Sequence, residues 1–93
     1  MRTVGTFKKI YEQAREYHLN GVVSGISDPV VRLERDGEWV IESRLEPQET
    51  TVVEVSLDDF QSYFYYSFED ESFEPTEQDV EDYIKFVKET QIA

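Results

Sequence analysis

Few residues in this chain could form or break bonds. It has no Cys and a single His among 93 residues. Disulfides, thiolate metal sites and cysteine nucleophiles are therefore excluded, and the composition suits an intracellular setting. The one imidazole, His18, falls near the end of a helix-like stretch, where a part-buried or dipole-stabilised histidine is ordinary. Asp58 and Asp59 are an adjacent carboxylate pair, a type that general acid–base chemistry uses, but no recognisable partner group accompanies them. No Walker loop, G-x-G-x-x-G or G-x-S-x-G motif occurs. The acid-rich "EDESFEPTE" (69–77) lacks the alternating acids, central Gly and terminal Glu of a calcium-binding loop. The expectation is a protein that is not an enzyme, with no cofactor and no metal.

Carboxylates and aromatic rings remain. Formal net charge is −12, and its placement is uneven. Residues 1–44 hold seven bases and seven acids. Residues 45–84 hold thirteen acids and no base, and residues 85–93 are net +1. Within "DDFQSYFYYSFEDESFEPTEQDVEDY" (58–83) lie eight aromatic side chains and ten carboxylates. Such a field repels nucleic acid and anionic membranes. It attracts basic surfaces and accelerates encounter with them. Adaptation to high salt would spread acid over the whole chain, and here one half is neutral.

The elements that must position these groups follow from periodicity. Val4, Phe7, Ile10 or Tyr11, Ala14 and Tyr17 recur at helical spacing, with Thr3 or Thr6 as cap and Asn20-Gly21 as stop. Short strands follow. "VVSGI" (22–26) is a candidate limited by Gly25. "VVRLER" (30–35) turns inward at Val31 and Leu33. "EWVIESRL" (38–45) turns inward at Trp39, Ile41 and Leu45, and "TTVVEVSL" (50–57) at Val53, Val55 and Leu57. Asp36-Gly37 is a strong hairpin signal, read as a type I′ turn, and "EPQE" (46–49) is a loop. These predict an antiparallel meander of three strands, or four if 22–26 joins.

Residues 57–68 admit two readings. Ser56 capping onto Asp59 starts a short helix with Leu57, Phe60, Phe64 and Phe68 on one stripe. As a strand, "SYFYYSF" alternates Tyr63 and Tyr65 against Phe64, Tyr66 and Phe68. The cap favours the helix. A loop over 69–75 leads to a last helix opened by Pro75 and Thr76, with Val80, Tyr83, Ile84 and Val87 inward. The predicted fold is a single acidic α+β domain over 1–93. It has an N-terminal helix, the antiparallel sheet, and two C-terminal helices packed on one sheet face. A chain of this length buries about 60–65% of its unfolded surface, so the core is modest.

Some of the acids have local explanations. Asp58 and Asp59, like Glu77 and Asp79, fall in first turns where carboxylates meet the positive end of the helix dipole. Glu77 and Glu81 instead form a like-charge i,i+4 pair, which costs a few tenths of a kcal/mol where a lysine would gain as much. Glu69, Asp70, Glu71 and Glu74 cap nothing. Carboxylates three or four apart on a helix are about 5–6 Å from one another, comparable with the charge spacing along a nucleic-acid strand. Grooves that bind nucleic acid carry Lys, Arg and stacking surfaces, and tyrosines supply rigid contact area. Phe60, Phe64, Phe68, Tyr83 and Phe86 read as packing. Tyr63, Tyr65 and Tyr66 cannot all point inward from one helix.

The stretches "ERDGEWVIES" (34–43) and "FEDESFEPTEQDVEDY" (68–83), with their layout of helix, "DG" hairpin and acid-rich helices, resemble the small acidic phage proteins that inhibit CRISPR nucleases. The resemblance is to those that block the DNA-binding groove of the single-protein RNA-guided nuclease. It is one of layout and charge across most of the chain, with few identical residues. It implies contact through the hairpin tip (Asp36, Gly37, Glu38) and the acid loop (Glu69, Asp70, Glu71). These groups would imitate the phosphates and base edges that the nuclease's arginines read. Arg32 and Arg35 flank the hairpin, a departure that dilutes its negative field.

The expected function is that of an inhibitory binding protein that mimics nucleic acid. It would occlude the basic groove of a nuclease or another nucleic-acid-processing enzyme, of the anti-CRISPR kind. The candidate contact residues are Asp36, Gly37, Glu38, Tyr65, Tyr66, Glu69, Asp70, Glu71, Glu74, Glu77, Glu81 and Asp82. An immunity protein or antitoxin against a basic toxin nuclease has the same chemistry, and a structural domain acidic only for solubility is the third reading. No direct contact with nucleic acid or membrane is expected. With no apolar run near the ~20 residues that span a bilayer and no apolar leader at the start, a cytoplasmic location is expected.

Overall fold

The computed structural model describes residues 2–21, 25–44 and 49–92. Helix α1 (Arg2–Asn20) leads into three strands, β1 (Pro29–Glu34), β2 (Trp39–Ser43) and β3 (Thr51–Ser56). Three helices follow: α2 (Leu57–Tyr63), α3 (Tyr65–Phe68) and α4 (Glu77–Ile92). The fold is α+β, with one helix ahead of a three-stranded antiparallel sheet and the remaining helices behind it. The candidate strand at 22–26 falls largely on residues outside those described, as do the expected inward Leu45 and most of the loop at 46–49, and Gly25 and Ile26 are not in a strand.

Helix α1 buries Phe7, Ile10, Tyr11 and Ala14, the stripe its spacing predicts. It ends where Gly21 takes φ +68 and its N–H bonds the Tyr17 carbonyl at 2.9 Å. A Cβ would strain that left-handed turn, so glycine is the fitting residue there. Thr6 lies inside the helix, so it does not cap it; the side chain of Thr3 lies outside the described residues. The Thr6 hydroxyl accepts from the Trp39 N–H at 3.0 Å and donates to the Gly37 carbonyl at 3.3 Å, fastening the hairpin to the helix.

Strand order is β2-β1-β3, with both pairings antiparallel. The first strand is thus central, where a simple meander would centre the second. Strands β2 and β3 lie on opposite sides of β1. Burial accords with this order, because β1 is buried on both faces, at Val31 and Leu33 on one and Val30 and Arg32 on the other, as suits a strand flanked on both sides. The hairpin turn also differs from type I′. Gly37 alone takes a positive φ, 92°, and Asp36 does not. Bonds from Gly37 N–H to the Glu34 carbonyl and from Glu34 N–H to the Glu38 carbonyl, both 2.9 Å, define a three-residue loop. This is the type I turn with a glycine bulge. It spares Asp36 a left-handed backbone and frees its carboxylate to accept from Glu38 N–H at 3.0 Å. A second irregularity, between Leu33 and Glu34 against β3, leaves Val52 unpaired and exposed.

The ambiguous stretch is helical. Ser56 Oγ accepts from Asp59 N–H at 3.1 Å, the cap expected for α2. The helix breaks at Phe64, which keeps Phe60, Phe64 and Phe68 all inside. At α4, Thr76 and Asp79 form a reciprocal cap: Thr76 N–H reaches Asp79 Oδ2 at 2.8 Å and Asp79 N–H reaches Thr76 Oγ1 at 3.3 Å. One core draws on every element, from Phe7 on α1 through Val31, Trp39, Val53, Phe60 and Phe68 to Tyr83 and Val87 on α4. Most of its aromatic rings meet edge to face or tilted, as Phe7 with Trp39 at 5.1 Å and Tyr11 with Phe64 at 5.4 Å, while Phe7 and Tyr11 are stacked.

Candidate acidic interface

Alternation along the strands divides the sheet. Val31, Leu33, Trp39, Ile41 and Val53 join the helix-packed core, and Arg32, Glu34, Glu42 and Glu54 take the other face. There the arginines are paired. Arg32 is 5% exposed; its Nε meets Glu34 Oε1 at 3.1 Å and its Nη2 meets Glu42 Oε2 at 2.7 Å. Burial alone would lower the Arg32 pKa, but the bonds to Glu42 and Glu34 outweigh it and raise it. Arg44 bridges Asp28 at 2.8 Å and Glu54 at 3.1 Å. Glu54, one of the thirteen acids in the base-free segment, thus finds its cation one residue before that segment begins.

The acids from Glu69 to Asp82 behave differently. Glu69, Asp70, Glu71, Glu74, Glu77, Glu81 and Asp82 are all exposed. Among the described residues none of these seven, nor Asp79, forms an ion pair. Asp70 accepts from the Ser72 N–H at 3.0 Å and the Ser72 hydroxyl at 2.6 Å, which hold its carboxyl below the usual range and shape the turn. The turn rests on apolar anchors. Phe68 is fully buried, Phe73 lies 5.6 Å from the Tyr11 ring, and Pro75 is buried. Arg15 on α1 reaches this region too, but its Nε donates to the Phe68 carbonyl at 2.9 Å, and among the described residues it forms no ion pair with a carboxylate.

The structure sorts the candidate residues into separate groups. Gly37 of the hairpin and Glu77 and Glu81 of α4 line one shallow groove of about 200 Å³ beside Val80 and Ile84. Arg35 lines it as well, so this group is of mixed charge. The Arg35 guanidinium is turned toward the Glu49 carbonyl at 2.8 Å. Asp36 and Glu38 stand exposed at the tip. Glu69, Asp70, Glu71 and Glu74 form the acidic turn. Tyr66, next to it in sequence, is 84% exposed. Tyr65 instead stacks edge-on at 5.2 Å against His18, and the two line a hollow with Asp58 and Gln61. Asp82 accepts from Gln78 Nε2 at 2.8 Å and lies near enough to Tyr63 to act on its phenol, on a different side of α4 from Glu81.

Tyr63, Tyr65 and Tyr66 are all exposed, and so is Phe86, which its spacing assigns to packing. Helix α4 turns Val80, Tyr83 and Val87 inward, and Phe86 falls beside that stripe. The Phe86 ring lies 4.9 Å from Tyr63, an exposed aromatic pair that periodicity on α4 alone does not show. Among the described residues no group of three or more His, Asp or Glu could hold a metal ion, and no helix is long and apolar enough to cross a membrane. No protein-family model, curated protein or solved structure matches the chain.

Proposed function

We propose that this protein is an inhibitor that mimics nucleic acid and occludes the basic groove of a nucleic-acid-processing enzyme, of the kind that blocks RNA-guided nucleases. One observation carries the reading. Eight carboxylates between Glu69 and Asp82 form no ion pair among the described residues, whereas Arg32 and Arg44 are committed to carboxylates on the other face of the sheet. Solubility is served by acids mixed with bases. An acid surface left without cations carries a lasting repulsion, which a basic partner relieves. Exposed Tyr66 beside the acidic turn adds contact area with a polar tip. The acidic turn is the principal contact. The hairpin side, diluted by Arg35, is secondary.

Partner capture from a bacterial lysate tests this, with the intact chain beside a variant carrying Glu69→Lys, Asp70→Lys and Glu71→Lys, at low and high salt. The intact chain alone should retain a nucleic-acid enzyme, and salt should weaken the capture. Equal capture by both forms would refute the reading. An immunity protein would capture a toxin nuclease by the same chemistry, so the identity of the retained enzyme separates these two functions.

A further inference from the structure

A second binding element lies away from the acidic turn. Among the described residues β3 is an edge strand, and beside it α2 and α4 enclose a groove of about 730 Å³. Tyr63 and Phe86 line it together as a contacting pair, with ring centroids 4.9 Å apart and planes inclined at 45°. Both are more than two-fifths exposed. Buried Tyr83, 4.7 Å from Tyr63, forms part of its wall.

The charge around the groove selects that partner. Asp59 lines it and makes no ion pair among the described residues. Asp82 and Asp79 lie close enough to Tyr63 to reinforce the effect of burial, which raises its pKa, and Asp59 does the same for Tyr83. Arg44 also lines the groove and is held between Asp28 and Glu54. The groove thus already seats one guanidinium against carboxylates. It also offers two aromatic rings and, in Asp59, a carboxylate with no ion pair among the described residues.

An anionic occupant would be repelled there. An aliphatic one would strip water from Asp59 and give nothing back. A guanidinium meets all the requirements, because it is planar, weakly hydrated, stacks on aromatic faces and pairs with a carboxylate through a fork of N–H groups. We infer that this groove receives an arginine side chain of a protein partner, stacked on Tyr63 and Phe86 and paired with Asp59. The inference rests on the proposed basic partner and adds to it a specific side chain and its seat.

The probe is the peptide acetyl-Gly-Gly-Arg-Gly-Gly-amide, beside the same peptide with norleucine for arginine, followed by amide NMR shifts of the intact chain. The arginine peptide should shift the amides of Ser62, Tyr63 and Phe86 saturably, and roughly three- to fivefold more tightly than the norleucine peptide. Phe86→Ala, at an exposed ring, and Asp59→Asn should each weaken it by a similar factor while the remaining spectrum stays folded. Equal binding of the two peptides, shifts confined to residues 69–74, or no saturable shift would each overturn the inference. Failure here with capture still dependent on the acidic turn removes only the groove. Peptide binding without capture of any nucleic-acid enzyme sustains the guanidinium seat and removes the inhibitor reading.

Discussion

The outer face of the sheet and the acidic region from Glu69 to Asp82 use the same carboxylates to opposite ends. On the sheet, Glu34 and Glu42 close over the buried Arg32, and Asp28 and Glu54 share the exposed Arg44. In the acidic region the carboxylates stand in water over a floor of aromatic rings. A buried guanidinium must be matched by anions or its desolvation is uncompensated. An exposed carboxylate has no such requirement, so its neighbours are free to be chosen for an outside partner. The lesson is that net charge of one sign becomes informative once the pairs that belong to the fold are subtracted.

The largest expected effect concerns the floor of the acidic region. Phe68→Ala empties a fully buried ring site against Tyr11 and should cost about 3–5 kcal/mol in denaturant unfolding. It should also loosen the turn it supports. Next comes the paired face. Arg32→Ala removes two charge-assisted hydrogen bonds, and because Glu34 and Glu42 both keep access to water the cost should be about 2 kcal/mol. A cost near zero would mean that this face is no more structural than the acidic one, and the contrast would collapse. The caps should matter less. Ser56→Ala and Thr76→Ala should each cost about 1 kcal/mol in the same assay.

Alkaline pH sharpens the contrast, because the phenols beneath the acidic region are buried while its carboxylates are not. Burial pushes Tyr11 up to about 12, outweighing the lowering by Ser67 and Arg15, and raises Tyr83 further still. Both folded values lie above the ordinary tyrosine value near 10, so the folded state keeps protons that the unfolded state releases. The contribution of these two phenols should be flat below pH 10, and stability should fall as pH rises from 10 toward 12. Tyr11→Phe should reduce the slope of that fall, as read from unfolding midpoints at successive pH values.

Much of the fold is legible in the sequence because local signals and burial agree. The α1 stripe, the Gly21 stop, the Ser56 cap and the Thr76 start each arise from neighbouring residues. Strand order was not legible, since the choice of central strand depends on which strand is buried on both faces in three dimensions, and in β1 that includes Arg32. The hairpin's turn type turned on whether Asp36 or the bulge glycine would carry the strained backbone. Phe86 is exposed because α4 already fills its inward stripe with Val80, Tyr83 and Val87, and its pairing with Tyr63 needs the α2–α4 approach. The acids of the turn were legible as a group, but the split of Glu77 and Glu81 from Asp82 across α4 follows from how that helix lies on the sheet.

Competition with nucleic acid tests the central claim most directly. The captured enzyme, bound to a fluorescent form of its own nucleic acid, is titrated with the intact chain and with the variant reversed at Glu69, Asp70 and Glu71 while anisotropy is followed. The intact chain should displace the nucleic acid stoichiometrically, and the reversed variant, folded with an unchanged melting temperature, should not. If the enzyme holds its nucleic acid while the chain is bound, the acidic region does not occupy that groove and the mimic account is contradicted.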